Sequence, residues 1–553
     1  MKRFCVLAVL LTLGFSLVFA GGRQASGGSS AKAAVPAPGP LGKYDPPLTV
    51  YWAKSTSSSD RYDEGYSIDY NEWTIEYLEQ VGVDIKYSWT VDGSQYDQKM
   101  AASIATGDLP DMFQVNQEQF DMLLRSGLIW DLTDAYNQYG SELMKTALQS
   151  DPSQTAMAQV NGRLMGFPQL GHTLDSKVIW VRQDWLKKLN LPNPTTLENV
   201  RRIAEAFATK DPDGNGQNDT YGALMGPGGI WSGLGAAGFL SAYHAYHEGW
   251  LKDSSGSLVY AGIQPQVKTA LAALNEWYAK GLIPRDWVNM SYDEGVSAIV
   301  SGKAGLMWGP FYLPTHIVQF VAMQPGGELA AYPWPSADSV PAKVMTNNAV
   351  RNYYVVNKKF PNPEALIKLL NYMFEFNYGS GGNRAARPYL QVSVSQGIEN
   401  WLHAVTPYAT LPNKNHAFHL QYKEVMKTGD TSILNVEALD TWKHVKAWYD
   451  GDNSDPWHWA FAVIFGTHAT ASHSAIEEYT KNDLILMNAF SGLPTAAMKT
   501  YQSSLDSLRD EIFTRIIIGE LPLSAFDTFV ADWKRQGGDD ITREVNAWYK
   551  ERK

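Results

Sequence analysis

From Leu48 onward the chain alternates between two rhythms of apolar and polar positions. Residues 48–53, Leu-Thr-Val-Tyr-Trp-Ala, read as a strand. Residues 71–81 carry Trp73, Ile75, Leu78 and Val81 on a helical stripe, and residues 83–89 alternate and end in a β-rich run. Residues 96–106 look helical again, and Gly107-Asp-Leu-Pro-Asp-Met-Phe-Gln-Val115 is a turn opening a strand. Strand–helix–strand–helix–strand predicts an α/β lobe built on a largely parallel sheet.

The pattern resumes after Gly166-Phe-Pro168 with a strand at 177–181 and a short amphipathic helix at 183–189. Thr195-Thr-Leu-Glu198 is a capping box, and Val200, Ile203, Ala204, Phe207 and Ala208 follow at helical spacing up to Lys210. Helices are expected at 266–280, 292–301 and 363–376, and strands at 304–307 and 352–356. From Ala385 the chain is mostly helical by periodicity, and no internal repeat is visible.

Composition adds bounds. The chain has 553 residues, 44% hydrophobic and 19% charged, enough for a large core and more than one lobe. Residues 1–20 read as a secretory signal: Lys2 and Arg3 precede an apolar run, and Val18 and Ala20 are the small residues before a cleavage at Gly21. The expected destination is periplasmic or extracellular. A lipid anchor would need a cysteine where Gly21 stands, so none is expected. The single cysteine, Cys5, would leave with the signal, so disulfides are not expected to contribute. Residues 21–47, rich in Gly, Ser, Ala and Pro, read as a flexible linker. Losing Lys2 and Arg3 would take the formal net charge from −11 to −13, which argues against nucleic acid and anionic membranes as partners.

One stretch gathers oxygen ligands. Numbered from Asp211, the segment places Asp213 at three, Asn215 at five, Gly216 at six, Gln217 at seven and Asp219 at nine, the spacing with which an EF-hand loop wraps Ca2+. Position twelve is Gly222 rather than glutamate, so a sixth ligand must come from elsewhere. The alternative is an Asx- and glycine-rich turn after a helix. A cation here is expected to stabilise rather than catalyse.

Other motifs say less. Gly233-Leu-Gly-Ala-Ala-Gly238 matches GxGxxG but follows no strand, and His244 and His247 have no apparent third metal ligand. GxSxG, HExxH and P-loop motifs are absent from the sequence, and nothing singles out a catalytic carboxylate pair. The tryptophans are more informative. Trp52 and Trp180 lie in strands, Trp231 in a glycine-rich loop, Trp308 at a strand end with Phe311 and Tyr312 beyond it, and Trp334 in Tyr-Pro-Trp-Pro; Trp457 and Trp459 flank His458. In open α/β sheets ligands bind beyond the carboxyl ends of strands, where aromatic faces can stack on sugar rings.

These segments together resemble the extracellular solute-binding proteins of sugar ABC importers. The similarity is carried by Ala105-Thr-Gly-Asp-Leu-Pro-Asp-Met-Phe113, Gly127-Leu-Ile-Trp-Asp-Leu-Thr133, Gly162-Arg-Leu-Met-Gly-Phe-Pro168, Val178-Ile-Trp-Val-Arg-Gln-Asp-Trp-Leu186 and Ser301-Gly-Lys-Ala-Gly-Leu-Met-Trp-Gly-Pro310, in family order. The loop from Asp211 to Asp219 also resembles a calcium loop of the larger, alginate-binding members, with Thr220 where an acidic residue often stands. The resemblance implies a type II-like periplasmic-binding-protein fold, two α/β lobes of mostly parallel sheet with a helical C-terminal extension, closing on a ligand. The expected division is 48–168 with 335–378 in an N-terminal lobe, and 169–334 with 379–553 in a C-terminal lobe. It implies a monomer that captures an oligosaccharide and delivers it to a membrane permease, without catalysis. Trp52, Trp180, Trp231, Trp308, Tyr312, Trp334 and Trp457 would supply stacking surfaces, and Asn116, Gln117, Arg182 and Arg351 would fix hydroxyls. Two alternatives stay open: the same fold binding a peptide or other non-sugar solute, and a secreted carbohydrate-active enzyme with a structural Ca2+, which would need two carboxylates facing across the cleft.

Overall fold

A computed structural model describes residues 36–550 apart from 58–59, 175–176, 348–349, 380–386, 391–399 and 493. The signal peptide and most of the linker expected from the sequence lie outside the described residues. The last part of that linker is packed: Tyr44 is buried, its hydroxyl donates to Glu364 Oε1 at 2.9 Å, and Lys368 Nζ donates to the Gly39 carbonyl at 2.8 Å.

The first sheet has five strands, in the order Val83–Asp92, Leu48–Thr56, Met112–Asn116, Asn352–Val356, Phe167–Pro168. Leu48–Thr56 pairs in parallel with the strands on both sides, as the alternation of strand and helix demands. Asn352–Val356 returns from far along the chain and runs antiparallel to both its neighbours. The helix expected at 71–81 starts at Glu72, capped by Asn71 Oδ1, which accepts from the Trp73 and Thr74 amides at 3.1 Å. It widens into a π turn over Tyr77–Val81 and stops at Gly82, which adopts a left-handed φ of 69°.

The second sheet, Leu306–Pro310, Lys177–Arg182, Leu329–Tyr332, differs from the expected mostly parallel order. Both pairings are antiparallel, and the parallel contacts there are bridges from Tyr221 to Ala304 and from Leu224 to Met307. The helix Leu197–Thr209 packs beside it; its cap is Thr196, whose hydroxyl accepts from the Asn199 amide, one residue later than the capping box suggested. The tail is helical as expected, running through Lys414–Thr428, Val436–Tyr449, Pro456–Phe465, Ser472–Lys481 and Ala496–Ile517 to Asp539–Lys550. Among the described residues no helix is long and apolar enough to cross a membrane.

Two hydrophobic cores result. One gathers residues from Tyr44 to Leu170 and from Val350 to Ala409; the other gathers Val178 to Val344 and Phe418 to Val545. The chain therefore passes between cores three times, within 170–178, 344–350 and 409–418. Two of these crossings lie further along the chain than the expected boundaries at 334/335 and 378/379. Trp334, Ala342 and Val344 belong to the second core, and Leu390, Ala404, Val405 and Ala409 to the first. The carbonyls of that last segment explain its placement: Leu390 accepts from Trp73 Nε1 at 3.0 Å, and Leu402, His403 and Ala404 accept from Lys54 Nζ.

Candidate functional site

The carboxyl end of Leu48–Thr56 opens on a cavity of about 760 Å³. Its walls take residues beside each of the three crossings: Gln169 to His172, Arg351 with Asn352, and Pro407, Tyr408 and Thr410. A void bounded by every connection between two lobes is the place where relative lobe motion changes its shape most directly.

Polar groups in the wall are held in fixed orientations. Gln169 Nε2 donates to Gln114 Oε1 at 2.8 Å, and Tyr96 donates to the Gln114 carbonyl at 3.0 Å. Lys54 Nζ reaches the carbonyls of Leu402, His403 and Ala404 at 3.0, 2.8 and 3.2 Å. Burial draws the Lys54 pKa down to about 8, against the opposing pull of Asp60 and Glu72. His403 is locked through Nδ1 to Glu72 and through Nε2 to the Arg61 carbonyl at 2.9 Å, and Tyr62 stacks on its ring at 4.3 Å. His172 also lines the cavity, and burial lowers its pKa to about 4, so at neutral pH it is a neutral imidazole.

The structure sorts the residues expected to bind ligand. Trp52 and Arg351 line this cavity, Trp52 with only 2% of its surface exposed. Trp180 and Trp308 do not: both are fully buried in the second core, Trp180 donating from Nε1 to the Pro310 carbonyl at 3.0 Å and Trp308 packing on Phe239 and Trp277. Their stacking faces are covered by protein. Trp334 is buried beside them, its amide donating to Tyr479. Arg182 is also buried, bonded through Nε and an amino nitrogen to Asp184 at 2.8 and 2.6 Å and lying over Trp185. Its fork is used up in the core. Asn116 caps the helix Gln117–Ser126 by accepting from the Gln119 amide at 3.0 Å, and Gln117 accepts from the Tyr353 hydroxyl. Trp231 lines a separate hollow of about 460 Å³, stacked on His247 at 3.9 Å with Nε1 donating to Asp510 at 2.7 Å. Tyr312 and Trp457 are exposed but lie outside the wall of the main cavity. Lys54, Tyr62, Gln114, Gln169, His172, His403 and Tyr408 were not anticipated. Gln114 follows Met112 on a strand already identified, and that alternation is the signal that could have found it.

The loop after Thr209 is ordered as an oxygen-rich turn. Asp211 accepts from the amides of Gly214, Asn215 and Gly216, each at 3.0 Å. The Asn215 amide group sits between Asp213 Oδ2 at 2.8 Å and Asp219 Oδ1 at 3.1 Å, so the side chains of positions three, five and nine converge. Burial, the Asp211 side chain and the Asp219 charge push the Asp213 carboxyl up. Its hydrogen bond with Asp213, together with the loop amides, draws the Asp211 carboxyl down. The Asp213 and Asp219 carboxylates meet through the Asn215 amide, an oxygen-rich turn of the kind a hard cation takes. Gly222 cannot contribute: a Cβ there would lie 2.7 Å from both the Ala204 and Leu282 carbonyls, so no side chain fits. Thr220 spends its hydroxyl on the Phe207 carbonyl at 2.6 Å. His244 pairs with Asp338 at 3.2 Å and His247 stacks on Trp231, so the two histidines have separate partners.

Residues 64–375 match the family model described as bacterial extracellular solute-binding protein. Among curated relatives, the polygalacturonan/rhamnogalacturonan-binding protein YtcQ of Bacillus subtilis (strain 168) is 22% identical over 87% of this chain and 88% of its own. The lipoprotein LipO of the same organism is 28% identical, and the match spans 41% of this chain and 44% of LipO, under half its length. The fructooligosaccharide ABC transporter substrate-binding protein FusA of Streptococcus pneumoniae serotype 4 (strain ATCC BAA-334 / TIGR4) is 27% identical over 37% of this chain and 40% of its own. The solved structure of FusA in complex with kestose superposes with a TM-score of 0.58 over 91% of this chain and 99% of that one, at 15% identity.

Proposed function

The chain belongs to the bacterial extracellular solute-binding proteins, and from that premise we propose that it captures an oligosaccharide between its two cores and delivers it to an ABC importer. The observation that carries this reading is the cavity beside all three crossings, walled by Tyr62 and Tyr408 and by the donors Gln169 and Arg351. Aromatic faces and fixed donors are what a polyhydroxylated ring needs. The names of YtcQ, a polygalacturonan/rhamnogalacturonan-binding protein, and FusA, a fructooligosaccharide ABC transporter substrate-binding protein, support the ligand class. Closure of one core on the other would select the bound state.

The role is non-catalytic, in keeping with the substrate-binding relatives. The protein acts as an exported monomer.

Asp211, Asp213, Asn215, Asp219 and the Gln217 carbonyl would hold Ca2+, which would neutralise the crowded carboxylates and pin the end of the helix Leu197–Thr209. A solved FusA variant described as an EF-hand mutant in complex with fructo-nystose supports this reading. Chelation is expected to lower the melting temperature by several degrees while leaving glycan affinity within about twofold, since loop and cavity share no residue. Calorimetry with a panel of oligosaccharides, including polygalacturonan fragments and fructo-oligosaccharides, tests the main reading. One glycan should bind saturably and be recovered uncleaved, and Arg351→Ala should weaken it at least tenfold, about 1.4 kcal/mol, without changing the melting temperature. A panel without a binder, or an Arg351→Ala variant that binds as the parent does, defeats it.

A further inference from the structure

A second cluster of ligating atoms lies in the helical tail, in residues that neither the cavity nor the acidic loop uses. The helices Val436–Tyr449 and Pro456–Phe465 run back on each other through a short turn. His444 comes from the first helix. Asp455 caps the second, its Oδ1 accepting from the Trp457 amide at 2.9 Å, which leaves Oδ2 unengaged by the cap. His458 follows within the first turn. Asp455 Oδ2 lies 3.9 Å from His444 Nδ1 and 3.9 Å from His458 Nε2, and the three side chains each present a ligand atom within 4.8 Å of the others.

Two details prepare these atoms for a metal. His458 Nδ1 lies 3.2 Å from the Asp452 carbonyl, which can only accept, so Nδ1 carries the proton and the lone pair of the ring is at Nε2, facing Asp455. A backbone carbonyl that fixes the tautomer from behind is the usual second contact of a metal-bound histidine. His444 Nδ1 is buried and makes no hydrogen bond. A buried ring nitrogen without a partner is costly unless something occupies it.

We propose that His444, Asp455 and His458 form a site for a divalent transition metal of the Zn2+ class, with solvent in the fourth position. Two imidazole nitrogens and one carboxylate oxygen suit Zn2+ or Co2+ and not Ca2+, which takes oxygen ligands alone. Bonds of about 2.0–2.1 Å in a tetrahedron separate ligand atoms by about 3.4 Å, so small side-chain rotations close the present 3.9 Å spacings. The ion would join the two helices across their turn.

The test is calorimetric titration of ZnCl2 into the purified, tag-free full chain, stripped with chelator and held in excess Ca2+ so that the acidic loop does not compete. One Zn2+ per chain should bind. His444→Gln and His458→Gln should each weaken it at least tenfold, while His244→Gln, on a histidine outside the cluster, should not. Co2+ should give the intense visible bands of a four-coordinate ion, and these should vanish in Asp455→Asn, whose amide oxygen still caps the helix. Matching melting temperatures in chelator would show the variants folded. A parent that takes up no stoichiometric Zn2+, or folded His444→Gln and His458→Gln variants that bind as the parent does, would overturn the proposal.

Discussion

Gly222 stands where an EF-hand loop would place its glutamate, and two carbonyls 2.7 Å from an added Cβ exclude any side chain there. Gly222→Ala is expected to cost about 1–3 kcal/mol through displaced backbone, measured as a lower denaturation midpoint with the denaturant slope unchanged. A substitution without effect would mean that the helix and the Leu282 segment part easily. Residue identity told less about the aromatics. Trp52, Trp180 and Trp308 all sit in strands, and each read equally well as a stacking platform. All three are buried, two in the second core and Trp52, 2% exposed, in the wall of the cavity. The difference is which neighbours cover the indole, and those neighbours arrive from Phe239, Trp277 and other distant positions that no local pattern encodes. Lys54 was overlooked for a related reason: its partners are backbone carbonyls almost 350 residues away.

Elements with a strong period were legible: the first strands, the helix Leu197–Thr209 and the helical tail all carry their stripes in sequence. The segment that closes the cavity does not. Among its described residues the regular structure is short 3-10 turns such as Asn400–His403, which leave no helical or strand alternation to read. At the same scale the tail holds a pH liability. The helices Lys414–Thr428 and Ser472–Lys481 bury His416, His419 and His473, with ring centroids 6.0–6.3 Å apart. Burial, with His419 next, lowers His416 to about 4, opposed by Glu477 and reinforced by Lys423 and Lys481; burial also holds His473 well below its ordinary value. The unfolded chain therefore takes up protons first. Stability should be complete above about pH 6.5 and be lost as pH falls toward 4. A melting temperature that declines across that window, less steeply in His416→Gln, is expected; a flat profile would contradict neutral burial.

At the scale of the whole molecule, two cores joined by three crossings make ligand binding a change of shape. X-ray scattering should show a smaller radius of gyration with the bound glycan than without it, and no change would separate binding from closure. Lys499 and Glu118 form an exposed ion pair between the two lobes. Lys499→Glu should replace attraction by repulsion and weaken glycan affinity by less than tenfold, read by calorimetry at low salt. The lobe division was only partly visible in sequence, because the chain returns to the first core through 390–409 after a helix that looked like its end. Asn413 adds a constraint on the motion. Its side-chain oxygen accepts from the Leu174 amide at 2.9 Å, which ties the first crossing to the third. Two tied connections act as one pivot, and the remaining crossing supplies the second. A tie between two of the three connections favours rotation about an axis through them, so a ligand selects chiefly along that coordinate.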